Sequence, residues 1–143
     1  MEAEGVKFRD LDGKEYLDGF SGLWCMAVGH NHPKIIKAVN RQMKKLSYFT
    51  SFHGVSNPPA IELARRLVAV TPDPLARVFF SDDGSTAVES ALKMAFQHFR
   101  NRGEERDLFI GLESGYHGDT FGAMAAGGTA AFHGVFRPLL FRV

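Results

Sequence analysis

Apolar and polar side chains alternate along Val6-Lys7-Phe8-Arg9 and again along Glu15-Tyr16-Leu17-Asp18, with the turn dipeptide Asp12-Gly13 between them. That pattern predicts a β-hairpin. The period then changes. After Asn31-His32, Pro33 suits a first helical position, and Ile35, Ile36, Val39, Met43 and Leu46 mark one apolar face of a helix to about Lys45. Pro58-Pro59 precedes a second helix with Ile61, Leu63, Ala64, Leu67 and Val68, stopped by the prolines of Thr71-Pro72-Asp73-Pro74. A third is expected from about Thr86 to Arg102, with Val88, Ala91, Leu92, Ala95, Phe96 and Phe99 on its apolar side. Gly19 to Gly29 is apolar but broken by glycines, and residues 47–57, with Tyr48, Phe49, Phe52 and His53, read as an aromatic loop.

Three continuous apolar runs have the look of buried parallel strands: Arg77–Ser81, Leu108–Leu112 and Leu139–Val143. A Gly/Ala-rich helical stretch through Ala126 lies between the last two. Strand, helix, strand, helix, strand predicts an α/β fold with a parallel sheet. Three strands make an incomplete sheet and the chain ends inside an apolar run, so a larger domain is expected.

Composition narrows the class. With 45% apolar and 23% charged residues the chain is globular rather than disordered. Lys+Arg 17 against Asp+Glu 16 gives a net charge of +1, which offers no electrostatic ground for binding nucleic acid or an anionic membrane. The single cysteine, Cys25, forms no internal disulfide and fits a reducing compartment. No apolar run approaches the roughly 20 residues of a membrane span, and the charged opening lacks the apolar core of a signal peptide. A soluble cytoplasmic protein is expected.

The turn Asp82-Asp83-Gly84-Ser85 carries the strongest chemical signal. Glycine allows close backbone approach, and a helix N-terminus offers amides without internal partners, so Gly84 and Ser85 suit a phosphate or carboxylate. The alternative is a plain helix cap with Ser85 at the N-cap. No GxGxxG and no GxxxxGK[ST] is present. The second signal is Gly115-Tyr116-His117-Gly118 after the next apolar run. Ligands of open parallel sheets sit beyond the carboxyl ends of the strands, which puts Tyr116 on the edge of the Gly84-Ser85 turn, its ring free to lie against a flat ligand. The alternative there is Tyr116 in the core and His117 capping the following helix. The six histidines lack metal-ligand spacing, there is no GxSxG or Cys/His nucleophile pattern, and Glu89, Lys93 and the Arg100–Arg106 charges read as a solvated helix face.

In order along the chain, GVKFRDLDGKEYLDGFSGLW, GHNHPKI, NPPAIELARRLVAVTP, VFFSDDGSTAVESALKMAFQHF and GYHGDTFGAM resemble the class III aminotransferases of the type I pyridoxal-phosphate fold. The resemblance spans nearly the whole chain. It implies an incomplete α/β PLP-transferase fold, with residues 1–50 as the N-terminal segment of the small domain and 51–143 as the start of the large cofactor domain. It implies pyridoxal 5'-phosphate as cofactor, a small-molecule amino donor and keto acceptor as partners, and a homodimer. Gly84 and Ser85 match the turn that binds the cofactor phosphate. Tyr116 matches the tyrosine that packs on the cofactor ring and borders the substrate, and Trp24 falls in the segment lining the substrate pocket. Two departures stand out: Leu23-Trp24 has one tryptophan where some members have two, and Asp83 replaces the serine usual before this glycine. The lysine that carries the cofactor in such enzymes matches none of Lys7, Lys14, Lys34, Lys37, Lys44, Lys45 and Lys93, so no catalytic residue is expected here and the chain alone should not transaminate. SDDGSTAVESALKMAFQHF and YHGDTFGAM are most similar to the adenosylmethionine-dependent aminotransferases of biotin synthesis, which aminate 7-keto-8-aminopelargonate. GFSGLWCMAVGH is shared with ω-amino acid:pyruvate aminotransferases. Outside the enzyme class, the aromatic loop and half-built sheet would suit a non-catalytic binding or assembly module.

Overall fold

The computed structural model describes all 143 residues, which form two compact units, Met1–Val70 and Thr71–Val143.

The first unit opens on an antiparallel sheet of β1 (Glu2–Glu4), β2 (Lys7–Arg9) and β3 (Glu15–Leu17), in the order β1-β2-β3. The expected hairpin is β2–β3, with Phe8 opposite Tyr16 and their rings stacked at 5.1 Å. Lys7 Nζ donates to Glu15 Oε1 at 2.6 Å across the same pair. The Asp10 carboxylate closes the turn by accepting the Asp12 and Lys14 amides. Strand β1, unforeseen in the sequence, pairs Ala3 with Phe8.

The glycine-broken stretch holds α1 (Ser21–Trp24), a single turn wound left-handed: φ is 51° at Ser21, 56° at Gly22, 64° at Leu23 and 65° at Trp24. For L-residues other than glycine this conformation costs roughly 1–2 kcal/mol each. Next come α2 (Pro33–Lys45), at the expected limits, and α3 (Pro58–Val68), whose N-cap Asn57 accepts the Ala60 amide at 3.1 Å.

The second unit is built on α4 (Gly84–Asn101), followed by α5 (Phe121–Ala126), α6 (Ala130–His133) and a 3-10 turn over Gly134–Leu139. α4 packs on α5, and the buried core is Ala123, Met124, Ala125 and His133. The three apolar runs expected as parallel strands form no ladder: Arg77–Ser81 and Leu108–Leu112 are irregular, and Leu139 ends the 3-10 turn. An apolar run has the composition of a buried strand, but a ladder also needs a neighbour in register, and these segments do not supply one another. Phe109 and Phe141 still meet, rings 5.7 Å apart.

The helices' apolar stripes stay uncovered. Ile35, Val39 and Met43 of α2, like Ile61 and Leu63 of α3, are exposed. The chain presents 12082 Å² of surface to solvent. A compact monomer of 15.8 kDa would present about 7,300 Å², and two separate units of half that mass about 8,800 Å².

Candidate functional site

The site begins at the N-terminus of α4. The N-cap is Asp83, not Ser85, and the helix starts at Gly84, two residues before the expected Thr86. Asp83 Oδ1 accepts the Thr86 amide at 2.8 Å while Thr86 Oγ1 accepts the Asp83 amide, a reciprocal capping box. Thr86 Oγ1 also donates to Asp82 Oδ1 at 2.6 Å, which holds the Asp82 carboxyl below its ordinary value. Both carboxylates are thus directed at Thr86. The Gly84 and Ser85 amides have no partner within the chain and stand at the positive end of an 18-residue helix.

Ser85 and Glu89 lie one helical turn apart, so they share a face. Both reach the segment that follows the Tyr-His-Gly loop. The Asp119 amide donates to Ser85 Oγ at 3.4 Å, leaving the hydroxyl proton free to donate elsewhere. Gly118, at φ 122°, sits so close to Ser85 that a Cβ there would collide with Ser85 Oγ, Cβ and Cα. Glu89 is half-buried and Oε1 accepts the Gly122 amide at 2.6 Å. The Thr120 hydroxyl and the Gly122 and Ala123 amides hold its carboxyl below the ordinary value. The solvated-face reading of Glu89 is therefore wrong: it fastens the start of α5 to α4.

Asp119 joins this junction to Tyr116. The phenol donates to Asp119 Oδ2 at 2.7 Å, and His133 Nε2 meets Asp119 Oδ1 at 3.0 Å. His133, then Tyr116, hold the Asp119 carboxyl below its ordinary value, and Asp119 in turn pushes the phenol up. The Tyr116 ring is stacked on His133 at 5.8 Å and meets the Phe132 ring edge-on at 6.4 Å, yet Tyr116 remains 52% exposed. Tyr116 is thus not in the core, and the N-cap of α5 is Thr120, so His117 does not cap it.

Gly84, Ser85 and Tyr116 come together in one unit through Asp119. Trp24 belongs to the other unit, where α1 leaves it 77% exposed. Sequence reasoning passed over Asp119, Glu89 and His133. The Ser85–Glu89 spacing and the position of Asp119 directly after Tyr-His-Gly were signals for the first two; nothing local marks His133.

The donor set fits a phosphorylated, planar ligand. Two free amides and a hydroxyl are available to an anion, Asp119 links Ser85 to the exposed Tyr116 ring, and neither Asp82 nor Asp83 is turned on the free amides.

The chain is similar to known proteins in both sequence and structure. The family model described as Aminotransferase class-III matches residues 1–143. The adenosylmethionine-8-amino-7-oxononanoate aminotransferase of Aquifex aeolicus (strain VF5) is 47% identical over 140 residues, 97% of this chain and 31% of that protein. The crystal structure of the enzyme of that name from Methanocaldococcus jannaschii superposes with a TM-score of 0.94 at 47% identity, over 99% of this chain and 32% of that one. A PLP-bound amine transaminase from an uncultivated Pseudomonas species matches with a TM-score of 0.88 at 38% identity, over 93% of this chain and 30% of that one. The chain thus spans about a third of the length of the relatives it matches, and its fold is the corresponding part of the type I PLP-dependent transaminases. By family model, sequence and structure alike, the chain belongs to the class III aminotransferases.

Proposed function

We propose that this chain forms the phosphate cup and one ring-facing wall of a pyridoxal-phosphate site in an aminotransferase that moves an amino group from S-adenosylmethionine to 7-keto-8-aminopelargonate, in the cytoplasmic synthesis of biotin. The observation that carries the cofactor reading is the pair of unpartnered amides at Gly84 and Ser85, tied through Asp119 to the exposed Tyr116 ring. The donor and acceptor rest on the names of the similar proteins from Aquifex aeolicus and Methanocaldococcus jannaschii.

Pyridoxal phosphate, when bound, supplies the electron sink for the transfer. The Gly84 and Ser85 amides and the Ser85 hydroxyl hold its phosphate, helped by the α4 dipole. Tyr116 offers a ring face, and the raised phenol stays protonated as a donor to Asp119, so it orients rather than accepts a proton. Glu89 keeps the loop that carries Tyr116 in place. Trp24 borders the substrate. Residues 1–50 belong to the small domain and 51–143 to the large one. The uncovered apolar faces meet the remainder of the enzyme and its dimer partner.

The test separates phosphate recognition from mere aldehyde reactivity. Pyridoxal phosphate should bind this chain at least about tenfold more tightly than pyridoxal, and Ser85→Asp should abolish the difference. Borohydride reduction should leave no stoichiometric pyridoxyl–lysine adduct on any of the chain's seven lysines. Equal affinity for the two aldehydes would leave only the non-catalytic binding module. A second reading, an ω-amino acid:pyruvate aminotransferase, draws on the likeness to the Pseudomonas amine transaminase. Supplying the full-length enzyme with S-adenosylmethionine, β-alanine or an aliphatic amine as donor decides between the two.

A further inference from the structure

Four consecutive left-handed residues, three of them not glycine, carry backbone strain. Their own backbone closes the turn through the Trp24 amide on the Phe20 carbonyl at 3.0 Å and the Cys25 and Met26 amides on the Ser21 carbonyl at 2.9 Å. The turn's own side chains offer little. Trp24 and Leu23 are 77% and 57% exposed, and the indole's ring partner is Phe20, tilted at 6.1 Å. The side-chain grip on the turn comes from Asp18. Its carboxylate accepts the Phe20 amide at 3.1 Å through Oδ1 and the Gly22 amide at 2.9 Å through Oδ2, and Oδ2 also meets His30 Nε2 at 2.6 Å. His30 is itself fixed at the sheet: its amide donates to the Gly5 carbonyl at 2.7 Å and its carbonyl accepts the Gly5 amide at 3.1 Å. The pair is sheltered, with side chains 7% exposed for Asp18 and 19% for His30. A sheltered polar anchor thus holds a strained turn whose product is an exposed apolar pair.

We propose that Asp18 and His30 are positioning residues: together they clamp Ser21–Trp24 left-handed and so set the direction in which Leu23 and Trp24 meet the apolar part of the keto acceptor. The clamp stands on the geometry of α1 alone, whereas the identity of what Trp24 faces rests on the aminotransferase reading above.

Trp24 is the chain's single tryptophan, so its emission reports the turn directly. In the whole chain, His30→Ala and Asp18→Ala should each raise the amplitude of fast, nanosecond Trp24 depolarisation about twofold or more. His30→Gln, which keeps a donor near Asp18, should recover more than half of the change. Ser21→Gly adds no contact but removes the cost of a left-handed φ, so it should restore His30→Ala towards the parent. Far-UV circular dichroism checks that each variant is folded; where His30→Ala is not, His30→Asn, too short to reach Asp18, takes its place. Unchanged depolarisation in a folded variant, or no rescue by Ser21→Gly, would overturn the clamp. In the full-length holoenzyme, His30→Ala should raise KM for the keto acceptor about tenfold with kcat and cofactor content nearly unchanged. A freed Trp24 with an unaltered KM would overturn the substrate-facing role and leave the clamp itself standing.

Discussion

The left-handed turn α1 and the N-terminus of α4 are both short features anchored by an aspartate, and they do opposite things. Asp18 consumes the amides of its turn, at Phe20 and Gly22, and what is left on display is side chain, Leu23 and Trp24. Asp83 takes only the Thr86 amide, and what is left on display is backbone, the amides of Gly84 and Ser85. One anchor holds strain; the other relaxes into an ordinary capping box. An aspartate in a turn therefore says little until the amides it takes are known.

The severest way to break the α4 side of this contrast is Gly118→Ala. The added methyl would strike Ser85, and φ of 122° is closed to alanine. About 3 kcal/mol of stability should be lost, together with most discrimination for pyridoxal phosphate. Urea unfolding and ligand titration check both; a tolerated alanine would show that Ser85 and the Tyr-His-Gly loop are not tightly joined. Next comes Glu89→Ala, which strips the Gly122 amide of its acceptor and should cost about 2 kcal/mol. Glu89→Gln keeps an acceptor and should cost clearly less. Equal losses would mean that the charge, not the hydrogen bond, fastens α5.

How far these features could be foreseen follows from the same contrast. The hairpin and the helices α2, α3 and α4 were legible because alternation and helical spacing are written in neighbouring residues. β1 escaped because Glu-Ala-Glu alternates over only three residues, too few to distinguish a strand. Arg77–Ser81, Leu108–Leu112 and Leu139–Val143 misled because composition proposes a strand and only a neighbour makes one. Gly84 and Ser85 were visible as a turn between an apolar run and a helix. Asp119 and Glu89 left only faint local signals and His133 none, since their roles are contacts with residues 14 to 34 positions away. α1 was out of reach: in Ser-Gly-Leu-Trp only Gly22 favours a left-handed φ, and the side-chain anchor of the turn, Asp18, lies outside the four residues.

A milder change sharpens the reading of the helix cap. Asp83→Ser keeps an oxygen for the Thr86 amide while removing a negative charge from the anion site, and serine is the residue usual there. Stability should stay within about 0.5 kcal/mol, while pyridoxal phosphate should bind about two- to fivefold more tightly. The gain should shrink with added salt. If affinity is unmoved, the Asp83 carboxylate is already too far from the phosphate to matter.

The smallest effect separates sheltered from open carboxylates. Glu62 on α3 accepts from Arg65 Nε and Nη2 and from Arg66 Nε, at 2.7–2.9 Å, and the Arg65 and Arg66 guanidiniums lower its pKa to about 2. A depressed folded-state pKa stabilises fully above the ordinary carboxylate value and loses that contribution as pH falls towards 2. Asp18, held down by His30 and then by the Phe20 and Gly22 amides, has the same sign. Their surroundings differ: the Glu62 side chain is 45% exposed and Asp18 only 7%. The difference in melting temperature between parent and Glu62→Gln should therefore be slight, vanish near pH 2, and fade in molar salt. The difference for Asp18→Asn should survive the salt. Should both fade alike, the Asp18–His30 pair would be as open to solvent as the α3 surface, and the turn it grips would need another anchor.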